Sequence, residues 1–515
     1  MTIMELLESN SQQYPDEPSL IELEPEQNER REITWLEFNS MANRFANFLL
    51  SRKIKKGDKV ALLLMNCLEW LPVYFGILKT GATAVPLNFR FDAGEIKKCL
   101  QTVETKVLVY GPEFRERINK IEAALGELQS IIFVGGNCPD KAEDYYKLLP
   151  EFPAVAPGIA VSGEDEAGLY FTSGTTGVPK PIILTHANLY SACITEFAHH
   201  EQTREDNFLC IPPLYHTGAK MHWFGSLFAG SKATLLRGVK PEWVLKAVSE
   251  EKATIVWLLV PWAQDILDAI ESGKVDLQDY CLEQWRLMHI GAQPVPPSLI
   301  RQWKKYFPNQ LYDTNYGLSE STGPGCVHLG IENIHKVGAI GVPGFGWEAK
   351  IVDEQGVPVP DGERGEVIVK GQGVMKGYYN NPEATAEVLK DGWLYTGDVG
   401  YRDNEGFIYL VDRKKDVIIS GGENIFPVEI EDFLQAHEDI KDAAVIGMPD
   451  KRLIEVPIAI VELKAGRNLT EENLLQYCNA LARYKRPRKI IFDKVPRNPT
   501  GKIEKPKLRE KWGKV

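Results

Sequence analysis

The chain has 515 residues, too many for one ordinary core, so two or more domains are expected. Its 44% hydrophobic and 25% charged residues fit a soluble globular protein, and no apolar run reaches the ~18 residues that span a bilayer. A formal charge of −12 argues against general nucleic-acid binding.

Thr34 followed by Glu37 is a capping-box pattern, and Phe38, Met41, Ala42, Phe45 and Phe48 then recur at helical spacing. The apolar run 60–64 reads as a buried strand, a helix follows over 70–78, and 84–87 is the next strand. Further strands are predicted at 107–109, 131–134, 169–171, 255–259 and 287–290, with helical or glycine-rich stretches between them. Such alternation predicts largely parallel sheets with helices packed on both faces.

After Glu363 the texture changes, and 364–369 and 406–410 read as shorter, half-exposed strands among turns. About 100 residues follow the charged segment Asp412-Arg413-Lys414-Lys415-Asp416, enough for a small α+β unit. Strands near 444–446 and 458–461 and helices near 427–436 and 470–481 would build it. The fold predicted is α/β, with a large N-terminal domain of mixed, largely parallel sheets flanked by helices, a small β subdomain, and a small α+β C-terminal domain. The boundary falls at the charged segment, giving domains 1–411 and 412–515.

The eight cysteines are scattered without a Cys-x-x-Cys pair, which suits reduced thiols. The N-terminus lacks the basic stretch and apolar core of a secretory signal, so a cytoplasmic location is expected. Apart from the adjacent His199-His200, read as surface residues, the nine histidines show no ligand spacing, and no structural metal is expected. The tail is locally basic: from Arg483 to Lys514, 13 basic residues stand against Asp493, Glu504 and Glu510. Such a face is either merely solvated or meets polyphosphate ligands.

The strongest local signal is Tyr170-Phe171-Thr172-Ser173-Gly174-Thr175-Thr176-Gly177-Val178-Pro179-Lys180. An apolar strand runs into small hydroxyl residues and glycines, and Lys180 closes the segment. Glycines let backbone N–H groups approach phosphate oxygens, the hydroxyls add donors, and the lysine supplies charge. It is not a Walker A loop, because Gly177 and Lys180 are not adjacent and no Ser or Thr follows the lysine.

This segment resembles the phosphate loop of the adenylate-forming superfamily, which includes acyl- and aryl-CoA ligases, firefly luciferases and the adenylation domains of peptide synthetases. Further resemblances follow in the family's order. They are Tyr316-Gly317-Leu318-Ser319-Glu320, Tyr395-Thr396-Gly397-Asp398, the segment 412–416, Ser420-Gly421-Gly422-Glu423-Asn424, and Pro496-Arg497-Asn498-Pro499-Thr500-Gly501-Lys502. Together they cover almost the whole chain.

The resemblance implies ATP contacts at Thr172, Ser173, Gly174, Thr175, Thr176, Gly177, Lys180, Gly291, Ala292, Gln293, Asn315, Tyr316, Gly317, Ser319, Asp398 and Arg413. Ser319 replaces the usual threonine but keeps the hydroxyl, whereas Gly291-Ala292-Gln293-Pro294 departs from the commoner Gly-Gly-Ala-Pro. Glu320 is implied as a Mg²⁺ ligand, a task for a hard oxygen donor. Tyr316 offers a flat face for adenine and Asp398 a two-oxygen acceptor for the ribose hydroxyls. Lys502 is implied as the catalytic lysine, bridging oxygens whose charge builds as pyrophosphate leaves. Lys415 is implied as the pivot on which a mobile C-terminal domain turns, bringing Ser420, Gly421 and Gly422 to the pantetheine thiol of CoA. His216, Trp262, Gly317 and Leu318 are implied at the acid. Trp223, Phe224 and Trp257 lie in segments that either wall the acid pocket or pack the core, and Lys220 and His222 are candidates to meet a polar end of the acid.

The function implied is ligation of a medium-chain, cyclic or aromatic carboxylic acid to CoA, with ATP and Mg²⁺ and without nucleic acid or a membrane span; a homodimer is admissible. The nearest alternative, an enzyme loading an acyl or amino-acid group onto a carrier protein, is disfavoured because the segment around Tyr215 has no aspartate to hold an amino group. Nothing identifies the oxygen handling of a luciferase. A non-catalytic adenylate sensor would have little reason to keep Lys502, Lys415 and the 420–422 glycines together.

Overall fold

The helix expected after Thr34 spans Trp35–Ser51 in a computed structural model of the chain, and its cap is made as the pattern predicts. The Thr34 hydroxyl accepts from the Glu37 N–H at 3.2 Å, and the Glu37 carboxylate accepts from the Thr34 N–H at 2.8 Å. The face carrying Phe38, Ala42, Phe45 and Phe48 is buried against the helix Trp70–Lys79. The two helices approach so closely that a Cβ at Gly76 would lie 2.8 Å from the Ala42 carbonyl oxygen. The structure describes residues 1–172, 180–291, 295–328, 335–421, 423–497 and 503–513.

Among the described residues the strands form four sheets. One, of eight strands, has Thr83–Pro86, Lys59–Leu63, Val107–Tyr110 and Ser130–Phe133 at its parallel centre. Its edge turns antiparallel through Glu166–Thr172, Lys180–Thr185 and Gly377–Tyr378. A second, of nine strands, holds Leu311–Tyr316, Leu287–Gly291, Ile255–Leu259, Asn207–Cys210, Lys232–Leu236 and Pro18–Glu24 in parallel. The predicted apolar runs occupy these strands and are buried on both faces, as parallel strands between helices require.

The change of texture after Glu363 marks an antiparallel sheet of Trp347–Val352, Gly365–Gly371, Trp393–Arg402, Leu389–Lys390 and Ile408–Arg413. Beyond it, Ile440–Asp450 and Ile454–Leu463 pair antiparallel and are flanked by the helices Pro427–Gln435, Glu471–Tyr477 and Lys505–Trp512. This last region has its own apolar clusters, including Ile418, Ile430, Leu434, Val445 and Val461. The helix expected over 470–481 is shorter, ending at Tyr477 and continuing as a 3₁₀ turn over Cys478–Ala480. Among the described residues no helix is long and apolar enough to cross a membrane.

Removing the cap hydroxyl in Thr34→Ala should cost about 1 kcal/mol. The expected result is a lower denaturant midpoint with an unchanged slope.

Candidate active site

The strands Leu287–Gly291 and Leu311–Tyr316 lie side by side in parallel, with His289 opposite Asp313. Their carboxyl ends carry Gly291 and the pair Asn315 and Tyr316, the edge at which open α/β sheets bind ligands. The chain then makes a close pass: a Cβ at Gly317 would stand 2.6 Å from the Gly323 carbonyl oxygen, so only glycine fits. A 3₁₀ turn, Ser319–Ser321, follows, with the Ser321 hydroxyl accepting from the Leu318 N–H at 2.9 Å and donating to the Gly323 carbonyl at 2.8 Å. This turn fixes the backbone from which Ser319 and Glu320 project.

Asp398 is buried, and both its oxygens are engaged. The Tyr316 hydroxyl donates to Oδ2 at 2.6 Å, and Arg413 Nε lies 2.9 Å from Oδ1. Asp398 and Arg413 are cross-strand partners, so the ion pair is set by sheet register. Burial, reinforced by the Asp398 charge, pushes the Tyr316 phenol well above its ordinary range and keeps it a donor. A carboxylate offers about four lone-pair sites, so this pair leaves Asp398 capacity for ribose hydroxyls.

A second constellation forms where the strand Gly377–Tyr378 pairs antiparallel with Lys180–Thr185. The Tyr378 hydroxyl donates to Glu320 Oε1 at 3.1 Å, and Lys180 Nζ stands 5.6 Å from the centre of the Tyr378 ring. Thr172 faces Lys180 across the two strands, its hydroxyl donating to the Lys180 carbonyl at 3.2 Å. Burial and then the Glu320 charge raise the Tyr378 phenol, which stays protonated. Tyr378 was not foreseen. The signal present was the run Lys376-Gly377-Tyr378-Tyr379, but only the pairing of distant strands gives it meaning.

At the charged segment, Asp412 is buried and accepts from the Arg413 N–H at 2.7 Å and the Val428 N–H at 3.1 Å. Burial pushes its carboxyl up to about 6. Asp416 receives Arg509 of the last helix at 2.6 Å, while Lys415 is exposed. Gly421 has φ +60° and donates its N–H to the Leu453 carbonyl at 2.8 Å, next to the buried Ser420. The expected contacts Ser173, Gly174, Thr175, Thr176, Gly177, Ala292, Gln293, Gly422 and Lys502 lie outside the described residues.

The structure places the residues considered for the acid and corrects one expectation, that His199 and His200 lie on the surface. Trp223 and Phe224 are buried, and Trp223 packs against Phe38 and Phe75 in the N-terminal core. Lys220 is buried too, its Nζ 4.1 Å from the Tyr170 ring centre. His199 and His200 are not surface residues: both are buried beside Asp313, because Glu196, His199 and His200 share the helix face turned toward the strands. His216, Trp262 and Leu318 are half-buried, and His216 lies 4.1 Å from Tyr215 between ring centres. Trp257 stacks on His222 at 4.3 Å.

Parallel strand ends whose Tyr316 meets an Asp–Arg pair of an adjoining β subdomain, together with a C-terminal α+β unit, make up the architecture of an adenylate-forming enzyme. The profile described as AMP-binding enzyme matches residues 7–379, and that described as AMP-binding enzyme C-terminal domain matches residues 429–502. The chain is 35% identical to a feruloyl-CoA synthase of Amycolatopsis sp over 93% of this chain and 94% of that protein. It is 33% identical to the long-chain-fatty-acid–CoA ligase FadD13 of Mycobacterium tuberculosis, over 93% of each. It superposes on the anthranilate CoA ligase AuaEII in complex with anthranoyl-AMP with a TM-score of 0.88, at 27% identity, covering 99% of this chain and 97% of that one. The chain therefore belongs to the AMP-binding enzyme family, as an acyl- or aryl-CoA ligase of the adenylate-forming superfamily. Its reaction class is AMP-forming acid–thiol ligation, and the family uses ATP, Mg²⁺ and CoA.

Tyr378→Phe removes the hydroxyl that reaches Glu320 and keeps the ring beside Lys180. A hydrogen bond to a charged group is worth about 1.5–3 kcal/mol, so kcat/KM for ATP should fall roughly 10- to 150-fold. The KM for the acid should stay unchanged, and an unaltered kcat/KM for ATP would dissociate Tyr378 from the nucleotide.

Proposed function

We propose that this enzyme joins a medium-chain, cyclic or aromatic carboxylic acid to CoA, forming acyl-AMP and pyrophosphate first and acyl-CoA and AMP second. The observation that carries this reading is the arrangement of two clusters linked by one short turn: Tyr316–Asp398–Arg413 and Glu320–Tyr378–Lys180. The first suits the nucleoside and the second the triphosphate. In the half-buried Glu320, Tyr378 engages Oε1, and among the described residues it is the one side-chain donor to that carboxylate. A carboxylate so held fits Mg²⁺, which takes hard oxygen ligands and few protein groups, and Mg²⁺ bound there would offset triphosphate charge.

In this reading Thr172, the hydroxyls and glycines at 173–177 and Lys180 hold the phosphates. Gly291, Ala292, Gln293, Asn315, Tyr316, Gly317 and Ser319 surround the adenine and α-phosphate. His216, Trp262, Gly317 and Leu318 face the acid. Aromatic rings at Tyr215, His216, Trp257 and Trp262 favour a compact acid over a very long chain. Lys502 bridges the attacking carboxylate and the phosphoryl oxygens, and loss of one such preorganised donor costs about 3–4 kcal/mol, or 10²–10³ in rate.

The two half-reactions ask for different partners at one site, and the proposed division into domains 1–411 and 412–515 supplies them by rotation about Lys415. Ser420, Gly421 and Gly422 then approach the pantetheine. The exposure of Lys415 and the left-handed backbone of Gly421, which permits close passage of a ligand, support this assignment.

Two experiments test the proposal. Purified protein with Mg²⁺, ATP, CoA and a panel of short, medium, long, cyclic and aromatic acids should release AMP and pyrophosphate and make one class of acyl-CoA, identified by mass spectrometry. Pyrophosphate exchange without acyl-CoA would move the acceptor to a carrier protein, and no exchange with any acid would contradict the proposal. Lys502→Ala should lose adenylate formation by at least ~10² while still transferring a supplied acyl-adenylate to CoA. Equal loss of both steps would remove the two-orientation scheme.

A further inference from the structure

Six ionisable side chains that acid activation does not employ meet behind the strand ends. His199 and His200 come from the end of the helix His186–His200, with Glu196 one turn earlier on the same face. His289 and Asp313 face each other across adjacent parallel strands, and His222 comes from the helix Thr217–Ala229. None is more than 7% exposed. Three ring nitrogens converge on one carboxylate. His199 Nε2 lies 3.0 Å and His200 Nε2 3.1 Å from Asp313 Oδ2, and His289 Nδ1 lies 2.5 Å from Oδ1. His200 Nε2 and His289 Nδ1 are themselves 3.3 Å apart.

We propose that His199, His200, His289 and Asp313 form a closed binding site for one divalent transition-metal ion of the zinc type. One ligand atom from each of the four lies within 4.8 Å of the others. Metal–ligand bonds of about 2.0–2.1 Å in a tetrahedron set ligand atoms about 3.3 Å apart. The 3.0, 3.1 and 3.3 Å separations are close to that, and the 2.5 Å between His289 Nδ1 and Asp313 Oδ1 would lengthen around an ion. Three imidazoles and a carboxylate suit zinc, and four protein ligands leave no open position, the mark of a structural site.

Two further features point the same way. Metal-bound histidines usually give their other ring nitrogen to a carboxylate, and His200 Nδ1 lies 3.0 Å from Glu196 Oε1. Charge also balances: a dication with Asp313 and Glu196 ionised and the imidazoles neutral sums to zero, as a dry interior demands. His222 continues the chain outward. Its Nδ1 lies 2.7 Å from the Gly218 carbonyl, and its Nε2 lies 3.4 Å from Glu196 and 3.3 Å from the Asn315 amide.

The consequence is mechanical. His289 is two residues before Gly291, and Asp313 two before Asn315, so the ion would tie together the strand ends that carry the nucleotide contacts. Loss of metal should therefore lower thermal stability and raise the KM for ATP more than it lowers kcat.

The test is the metal content of untagged, full-length protein grown with added zinc, read by elemental mass spectrometry. One zinc per chain is expected, and protein grown with cobalt instead should show the intense visible d–d bands of tetrahedral Co²⁺. Glu196→Gln should weaken zinc affinity about 10- to 100-fold, and Asp313→Asn should lose the ion. Wild-type protein without zinc or cobalt, both as purified and after dialysis against each ion, overturns the proposal and leaves a hydrogen-bonded network. Full zinc content in Asp313→Asn places the ion elsewhere and overturns it equally.

Discussion

Burying a carboxylate is costly unless donors meet it, and Asp398 is buried. Its oxygens are met from two sides: by Tyr316 at the end of the nine-stranded sheet, and by Arg413 at the end of the β subdomain. One charge thereby ties two neighbouring strands of the β subdomain to a strand end 82 residues earlier in the chain. The Gly317 pass and the turn carrying Glu320 begin immediately after Tyr316, and the charged segment 412–416 contains Arg413. The position of each candidate contact relative to the others depends on this one bracket.

Around that bracket the chemistry is a problem of like charges. A carboxylate brought to about 4 Å from a phosphate charge meets about 4 kcal/mol of repulsion near a protein surface. In the proposed reaction Lys180, Arg413 and Lys502 oppose that repulsion, and Glu320 does so indirectly through Mg²⁺. A cation fixed in place for the first half-reaction would obstruct thiol attack in the second. The proposed catalytic lysine, carried on a separate unit that turns about the exposed Lys415, would answer both demands.

Sequence alone made legible what depends on local pattern. The apolar runs became parallel strands because period and length suffice to identify a strand buried on both faces. The Thr34 cap, the change of texture after Glu363 and the family motifs were equally readable, since each lies within a few residues. Relations across register were hidden. Tyr378 reaches Glu320 only because its strand pairs with one almost 200 residues earlier. His199 and His200 looked like surface residues because their partners, His289 and Asp313, sit on strands about 90 and 110 residues further along the chain. Trp223 resolves to the core side of the two readings the sequence left open, packed on Phe38 and Phe75, because one sequence does not show which face of a buried helix turns inward.

Oxygen transfer during turnover tests acid activation through an adenylate most directly. The acid that turns over would be labelled with ¹⁸O in its carboxyl group and converted to the CoA thioester, and the AMP analysed by mass spectrometry. Attack on the α-phosphate leaves one carboxyl oxygen on the nucleotide when CoA takes the acyl group, so AMP should carry the label. Label in pyrophosphate or orthophosphate, with unlabelled AMP, would contradict acyl-adenylate chemistry at this site.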